Sequence, residues 1–157
     1  MKILAIDPGA EKSAAVYLVD GLVGCELEII ANEDLRWNLV RSVTKDWILV
    51  IEQVEHYGRG MPVGKTIFDT VFWSGRFVEA WGGEWELIPR RKVKLHLCGS
   101  ARAKDSNIRQ ALIDRFGPGK EKAVGTKKKP GPLYGIKKDL WSALALAVTY
   151  ADITKGD

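Results

Sequence analysis

The sequence predicts a mixed α/β fold, and three observations carry that prediction. Two runs rich in Val, Ile, Leu and Tyr, residues 13–19 and 22–30, are separated by Asp20-Gly21, a strong hairpin signal. Residues 47–51 form an unbroken apolar run, as expected of a central strand covered on both faces. Beyond it, helix-like and strand-like segments alternate, which implies crossover connections after the initial hairpin.

The elements follow in order. Residues 2–7 are a short apolar strand, ended by the turn signal Pro8-Gly9. Asn32 or Asp34 can cap a helix running to about residue 44, with Leu35, Leu39 and Val43 on one stripe. A Gly-rich loop, residues 57–64, leads into a long helix over 65–81. Its stripe includes Phe68, Val71, Phe72, Phe77 and Trp81, and the apolar surface is broad enough to predict part of a dimer interface. Residues 84–88 read as a strand that opens directly onto Arg90-Arg91-Lys92. Asp105 or Ser106 can cap a helix to about Phe116, stopped by Gly117-Pro118. Residues 117–136, rich in Gly, Pro and Lys, predict a solvated, mobile loop, and residues 137–151 an Ala/Leu-rich closing helix. The order is β-β-β-α-β-α-β-α-α without internal repeat, so residues 1–157 are expected to form a single domain.

Composition narrows the class. Apolar residues make up 46% and charged residues 28% of the 157, as in soluble globular proteins. No stretch nears the roughly 18 apolar residues of a membrane span, and residues 1–6 are too short an apolar run for a signal peptide. Cys25 and Cys98 match no zinc or CxxC spacing and read as reduced thiols. A cytoplasmic protein without a membrane partner is expected. Charge is unevenly distributed: residues 90–138 hold 15 of the 24 Lys and Arg but three of the 20 acids. That segment is net +12 and the remainder net −8, although the chain as a whole is +4. Such asymmetry points to a polyanionic partner, most simply nucleic acid.

Three carboxylates stand where chemistry is commonly placed. Asp7 ends the first strand, Glu52 directly follows the apolar run 48–51, and Asp139 opens the last helix. Sites in open α/β sheets form where strands end. A carboxylate ending an apolar strand is costly unless paired or metal-bound. Acids gathered at one place repel unless a divalent cation neutralises them, and hard Mg²⁺ takes such oxygen ligands. Two such ions activate a water and stabilise the leaving oxygen of a phosphodiester. The candidate DNA-binding bases fall into groups. Arg90, Arg91, Lys92 and Lys94 follow a strand; Arg102, Lys104 and Arg109 surround a helix start; Lys127, Lys128 and Lys129 sit in the basic loop. Tyr57 and Arg59, in the Gly-rich loop, add an aromatic and a further base, with His56 beside them.

Asp7 in Ile-Asp-Pro-Gly, Glu52 in Ile-Glu-Gln-Val, and Asp139 ahead of Ala143-Leu144-Ala145-Leu146-Ala147 together resemble the RuvC-type Holliday-junction resolvases of the RNase H-like superfamily. The similarity extends through Lys92-Val93-Lys94 and Asn107-Ile108, and the short, divergent chain resembles the phage branch. The resemblance implies an RNase H-like fold with a five-stranded mixed sheet flanked by helices. It also implies a homodimer that resolves four-way DNA junctions by paired nicks, leaving 5′-phosphate and 3′-hydroxyl ends. Mg²⁺, with Mn²⁺ able to substitute, would be held by Asp7, Glu52 and Asp139, two ions per site.

The sequence departs from that pattern in three places. Where the family has a second acid on the last helix this chain has Ser142, whose hydroxyl is a weaker ligand; Glu55 or Asp105 are alternative sources of the missing charge. The family's junction-entering aromatic is replaced by Glu55, which leaves Tyr57 as the nearest substitute. Its lysine is displaced by one position, to Lys104, the candidate for stabilising charge on the reacting phosphate. Two other functions fit the same charges and acids: a flap or fork debranching nuclease of the same fold, and a junction-binding module without activity. Sugar-kinase and actin-like ATPases also open with an Asp-x-Gly turn, but they need two such domains.

Overall fold

The structure, a computed structural model, describes residues 1–42, 46–55 and 64–155, without the side chains of Cys25 and Glu26. Its strands are β1 (Lys2–Asp7), β2 (Lys12–Val19), β3 (Leu22–Ala31), β4 (Trp47–Gln53) and β5 (Trp85–Pro89). Its helices are α1 (Asn32–Arg41), α2 (Lys65–Trp81), α3 (Arg90–Cys98), α4 (Asp105–Phe116), α5 (Lys120–Ala123) and α6 (Leu140–Ile153). The strands form one five-stranded sheet in the order β3-β2-β1-β4-β5. The hairpin neighbours β1, β2 and β3 pair antiparallel, whereas β1 with β4 and β4 with β5 pair parallel. The expected mixed sheet flanked by helices is therefore present.

The period-two alternation of a strand assigns each side chain to one of two cores. Leu4 and Ile6 of β1, with Leu49 and Ile51 of β4, face α1 and α2 through Leu35, Leu39, Phe77 and Trp81. Ile3, Ala5 and Val50 face the opposite way, against α3, α4 and α6. Helix α6 is apolar almost all round, which only a buried helix sustains. It lies across β1, β2 and β4, with Ala143, Leu144, Ala145, Leu146 and Ala147 fully buried. Phe77 is also fully buried and contributes about 1.5–3 kcal/mol of hydrophobic stabilisation. Trp81, 2% exposed, is a core residue whose indole N–H donates to the Glu84 carbonyl at 2.9 Å.

Three features differ from expectation. The basic run after β5 forms a helix, α3, which the expected order of elements lacks. Its first turn carries Arg90, Arg91 and Lys92 against the helix dipole, which hides it from a propensity reading. Residues 117–136, expected as a solvated loop, are tied to the body of the protein. Ala123, Leu133 and Ile136 are buried in the α6-side core, and the Leu133 N–H donates to the Ala123 carbonyl at 2.8 Å. Lys127, Lys128 and Lys129 remain exposed at the tip. Asn32, a possible helix cap by sequence, is instead the first residue of α1, with its side chain buried elsewhere.

Candidate active site

The sheet brings two of the three acids together by register. β1 and β4 run parallel with Ile6 opposite Ile51, so Asp7 and Glu52 are the next neighbours across strands roughly 4.8 Å apart. Alternation places both on the face of Ala5 and Val50, beneath α6. The third acid, Asp139, occupies the N-cap position of α6, and its carbonyl accepts from the N–H groups of Ser142 and Ala143.

A buried hydrogen-bond network fixes the turn that follows Asp7. The Ser13 hydroxyl donates to Asn32 Oδ1 at 2.7 Å and accepts from the Gly9 N–H at 3.2 Å, while Asn32 Nδ2 donates to the Gly9 carbonyl at 2.9 Å. Gly9 admits no side chain, because a Cβ there would lie 2.3 Å from the Lys12 carbonyl oxygen.

The electrostatics are those of crowded acids. Burial, the negative charges of Glu52 and Asp139, and only partial relief from Arg90 and a hydrogen bond offered by the Ser142 hydroxyl push the Asp7 pKa up to about 7. Burial also raises Glu52, against the opposing pull of Arg90. The Arg90 guanidinium bridges two carboxylates: Nη1 donates to Glu52 Oε2 at 2.9 Å and Nη2 to Asp105 Oδ1 at 2.7 Å. Burial works against the Arg90 charge, but the two acids outweigh it and its pKa rises further. Glu52 is thus drawn toward Arg90. Among the described residues no three His, Cys, Asp or Glu side chains are already closed around a metal position.

A cleft of about 500 Å³ opens beside the acids, lined by Asp139, Ser142, Arg90, Asp105, Arg109, Lys137, Lys138 and Trp141 among others. Arg109 stacks its guanidinium 4.7 Å above the Trp141 ring. A second cleft joins Arg90 to Arg91 and Lys94. Of the candidate bases, Arg90 is therefore bonded to Glu52, Arg109 lines the cleft with Asp139, and Arg91 and Lys94 share the second cleft with Arg90. Lys92 and Arg102 lie on α3 and the turn that follows it, Lys92 exposed and Arg102 also at the surface. Lys104 caps α4, its backbone N–H donating to Asn107 Oδ1 at 2.9 Å, and is not among the residues lining the acid cleft. Of the two alternative sources of a fourth charge, Asp105 is joined to Glu52 through Arg90, whereas Glu55 lies exposed beyond the end of β4. Tyr57, Arg59 and His56 lie outside the described residues.

No protein-family model and no curated protein matches the chain by sequence. Solved structures do match in shape. The Thermus thermophilus RuvC structure aligns over 99% of this chain and 96% of its own, at 15% identity and a TM-score of 0.66. T. thermophilus RuvC in complex with a Holliday junction substrate aligns over 98% and 94%, at 16% identity and the same TM-score of 0.66. The fold is RuvC-like.

Several residues at the acid cleft carry no individual signal in the sequence. Lys137 and Lys138 immediately precede Asp139 and line its cleft; Lys138 is held at φ +47°. Ser13 and Asn32 hold the Asp7 turn through a contact 19 residues apart in sequence, for which no local signal exists. Arg90 belongs to the basic run, but its pairing with Glu52 follows only from the placement of α3.

On α2, Phe68, Val71 and Phe72 are exposed, and Val71, Ser74, Gly75 and Val78 line a groove of about 350 Å³ shared with Trp85 and Leu87 of β5. Among the described residues no helix is long and apolar enough to cross a membrane.

Proposed function

We propose that this protein is a metal-dependent, structure-selective DNA endonuclease of the phage-type RuvC branch, one that resolves four-way junctions by paired nicks. The observation that carries the reading is the meeting of Asp7, Glu52 and Asp139 at one end of the sheet, beside a cleft walled by Arg90, Arg109, Lys137 and Lys138. The fold match adds that a protein of this shape has been solved with a Holliday junction substrate.

The acids suit a divalent ion. Burial and the neighbouring acids raise the Asp7 carboxyl to about 7, so that near pH 7 about half of it stays neutral, and a bound cation would remove that penalty. Asp7, Glu52 and Asp139 would hold the ion, with the Ser142 hydroxyl orienting the Asp7 carboxylate. Mg²⁺ or Mn²⁺, when bound, supplies Lewis-acid activation of water and charge neutralisation at phosphorus. The remaining chemistry belongs to the chain. Arg109, Lys137 and Lys138 seat the phosphates flanking the scissile bond. Arg91, Lys92, Lys94, Arg102 and Lys104 extend that track over α3 and the start of α4, and Lys127, Lys128 and Lys129 reach DNA arms further out. The exposed face of α2 with Phe68, Val71 and Phe72 is the surface on which two copies would pair, offering two sites to opposite strands.

The test is a cutting panel: a synthetic four-way junction beside a flap, a fork and linear duplex, with Mg²⁺, Mn²⁺ or EDTA. Paired, metal-dependent nicks in the junction alone support the proposal. Equal or faster cutting of flaps and forks moves the function to debranching. Tight junction binding without cutting under either metal leaves a binding module, the reading that Ser142 favours.

A further inference from the structure

Helix α3 opens with three cations and has no acid in its first turn, although the N-terminus of a helix already carries about half a positive charge. The three cations are not equivalent. Arg91 and Lys92 are exposed, whereas Arg90 turns inward, with its side chain 20% exposed and that of its partner Glu52 18%. The guanidinium forms part of the wall of both clefts, the one containing Asp139 and Ser142 and the one containing Arg91 and Lys94. It therefore stands between the acids and the basic surface. Of the five N–H donors on a guanidinium, one engages Glu52 and one engages Asp105, so others remain for a phosphate.

Charge balance then bears on what else the site holds. Asp7, Glu52 and Asp139 carry three negative charges when ionised; Asp105 bonds Arg90 from the outside at 2.7 Å, but it is 80% exposed and water screens its charge from the buried acids. Four acids would match two divalent cations. Here the position three residues after Asp139 is the neutral Ser142, and a fixed cation is present instead. Three acids and one arginine match a single divalent cation.

We infer that Arg90 takes the place of a second metal ion: the site holds one divalent cation, and the Arg90 guanidinium binds the scissile phosphate and stabilises the charge that develops on it. The inference rests on the nuclease reading above. Hydrolysis joins a water oxygen to phosphorus and breaks the bond from phosphorus to the 3′ oxygen. That oxygen leaves as a hydroxyl with one of the water protons, and the other proton passes to solvent. Arg90 stays protonated throughout and only donates hydrogen bonds, the role a guanidinium serves at phosphoryl centres.

The experiment counts Mn²⁺ bound per protomer by electron paramagnetic resonance titration of the DNA-free full chain. The wild type, Asp7→Asn and the double variant Arg90→Gln/Ser142→Asp are compared, with junction cutting by Arg90→Gln measured alongside. The expected result is one ion in the wild type, none in Asp7→Asn and two in the double variant. Cutting by Arg90→Gln should fall about 10²–10³-fold, the usual cost of a donor aimed at transition-state charge, while junction affinity changes by less than about tenfold. Two ions in the wild type, or cutting by Arg90→Gln at the wild-type rate, overturns the inference and leaves the nuclease reading intact. No ion in any of the three removes the metal site itself, and both readings fall. The wild-type count needs no variant to fold.

Discussion

Replacing Asp7 by Asn should stabilise the metal-free protein, and by an amount that grows with pH. The Asp7 carboxyl is raised from 3.8 to about 7 by burial first, then by Glu52 and Asp139. Between those two values the folded state keeps a proton that the unfolded chain has released. A folded pKa above the unfolded one in an acid means that stability falls as pH rises through this window, and that the loss is complete above the folded pKa. At about 1.4 kcal/mol per pH unit, the full window is worth about 4 kcal/mol, and the part between pH 5 and pH 8 about 3 kcal/mol. Asn has the same shape and never ionises, so it escapes the loss. Other groups titrate too: Asp20, Glu33 and Asp152 have lowered pKa values and lose stability as pH falls. They are common to both proteins and cancel in the difference. Urea and thermal melts of wild type and Asp7→Asn in EDTA at pH 5, 6, 7 and 8 measure that difference. The Asp7→Asn variant should gain about 3 kcal/mol on the wild type across the series, or roughly 6–12 °C in Tm for a chain of this size. Millimolar Mg²⁺ should close most of the gap by stabilising the wild type alone. Parallel pH curves for the two proteins would refute the claim that Asp7 is a buried carboxyl crowded by acids.

Three further outcomes follow from the same geometry. Junction affinity should weaken with salt at a log–log slope of roughly −5 if five or six of the bases neutralise phosphates, and titrations across a range of NaCl read it directly. Asn32→Ala should cost about 1–3 kcal/mol in a urea melt, because it leaves the Ser13 hydroxyl and the Gly9 carbonyl without their buried partner. It should lower cutting more than binding, since the turn it loosens carries Asp7. Phe72→Glu, at a side chain 61% exposed, should leave the fold intact and convert a dimer to monomers in analytical ultracentrifugation.

Much of the fold can be read in the sequence because its signals are local. The strands β1 to β4 are apolar runs bounded by turn residues, and α2 begins and ends at the predicted residues, 65 and 81, because a long stripe and flanking glycines define it. Asp7 and Glu52 stand out for a related reason: each is a charge at the end of an apolar strand, and that costs energy without a partner. The features that escape such a reading depend on tertiary contact. Only Val93 of α3 is fully buried, too little to give a periodic pattern, and its cationic first turn opposes the helix dipole. Ala123, Leu133 and Ile136 are isolated apolar residues in a Gly/Pro/Lys stretch, and nothing nearby marks them as core. Which of fifteen bases reaches Glu52 is likewise decided only when α3 turns Arg90 inward. A polar residue such as Asn32 reads as a helix cap from its neighbours alone, whereas its partners, Gly9 and Ser13, lie on the other side of the hairpin.

The central claim is that Asp7, Glu52 and Asp139 form one catalytic unit that cuts DNA bound by the basic surface. The most direct measurement is to separate the two functions on a four-way junction, with binding followed by anisotropy in EDTA and nicking followed in Mg²⁺. Wild type, Asp7→Asn, Glu52→Gln and Asp139→Asn would be run side by side. Each variant should bind within about threefold of the wild type or tighter, since each loses a negative charge near the phosphates. Each should also cut at least about 10³-fold more slowly, with no further loss when two are combined, as expected of groups acting as a unit. Nicking that survives any one of these substitutions at near the wild-type rate would contradict the account.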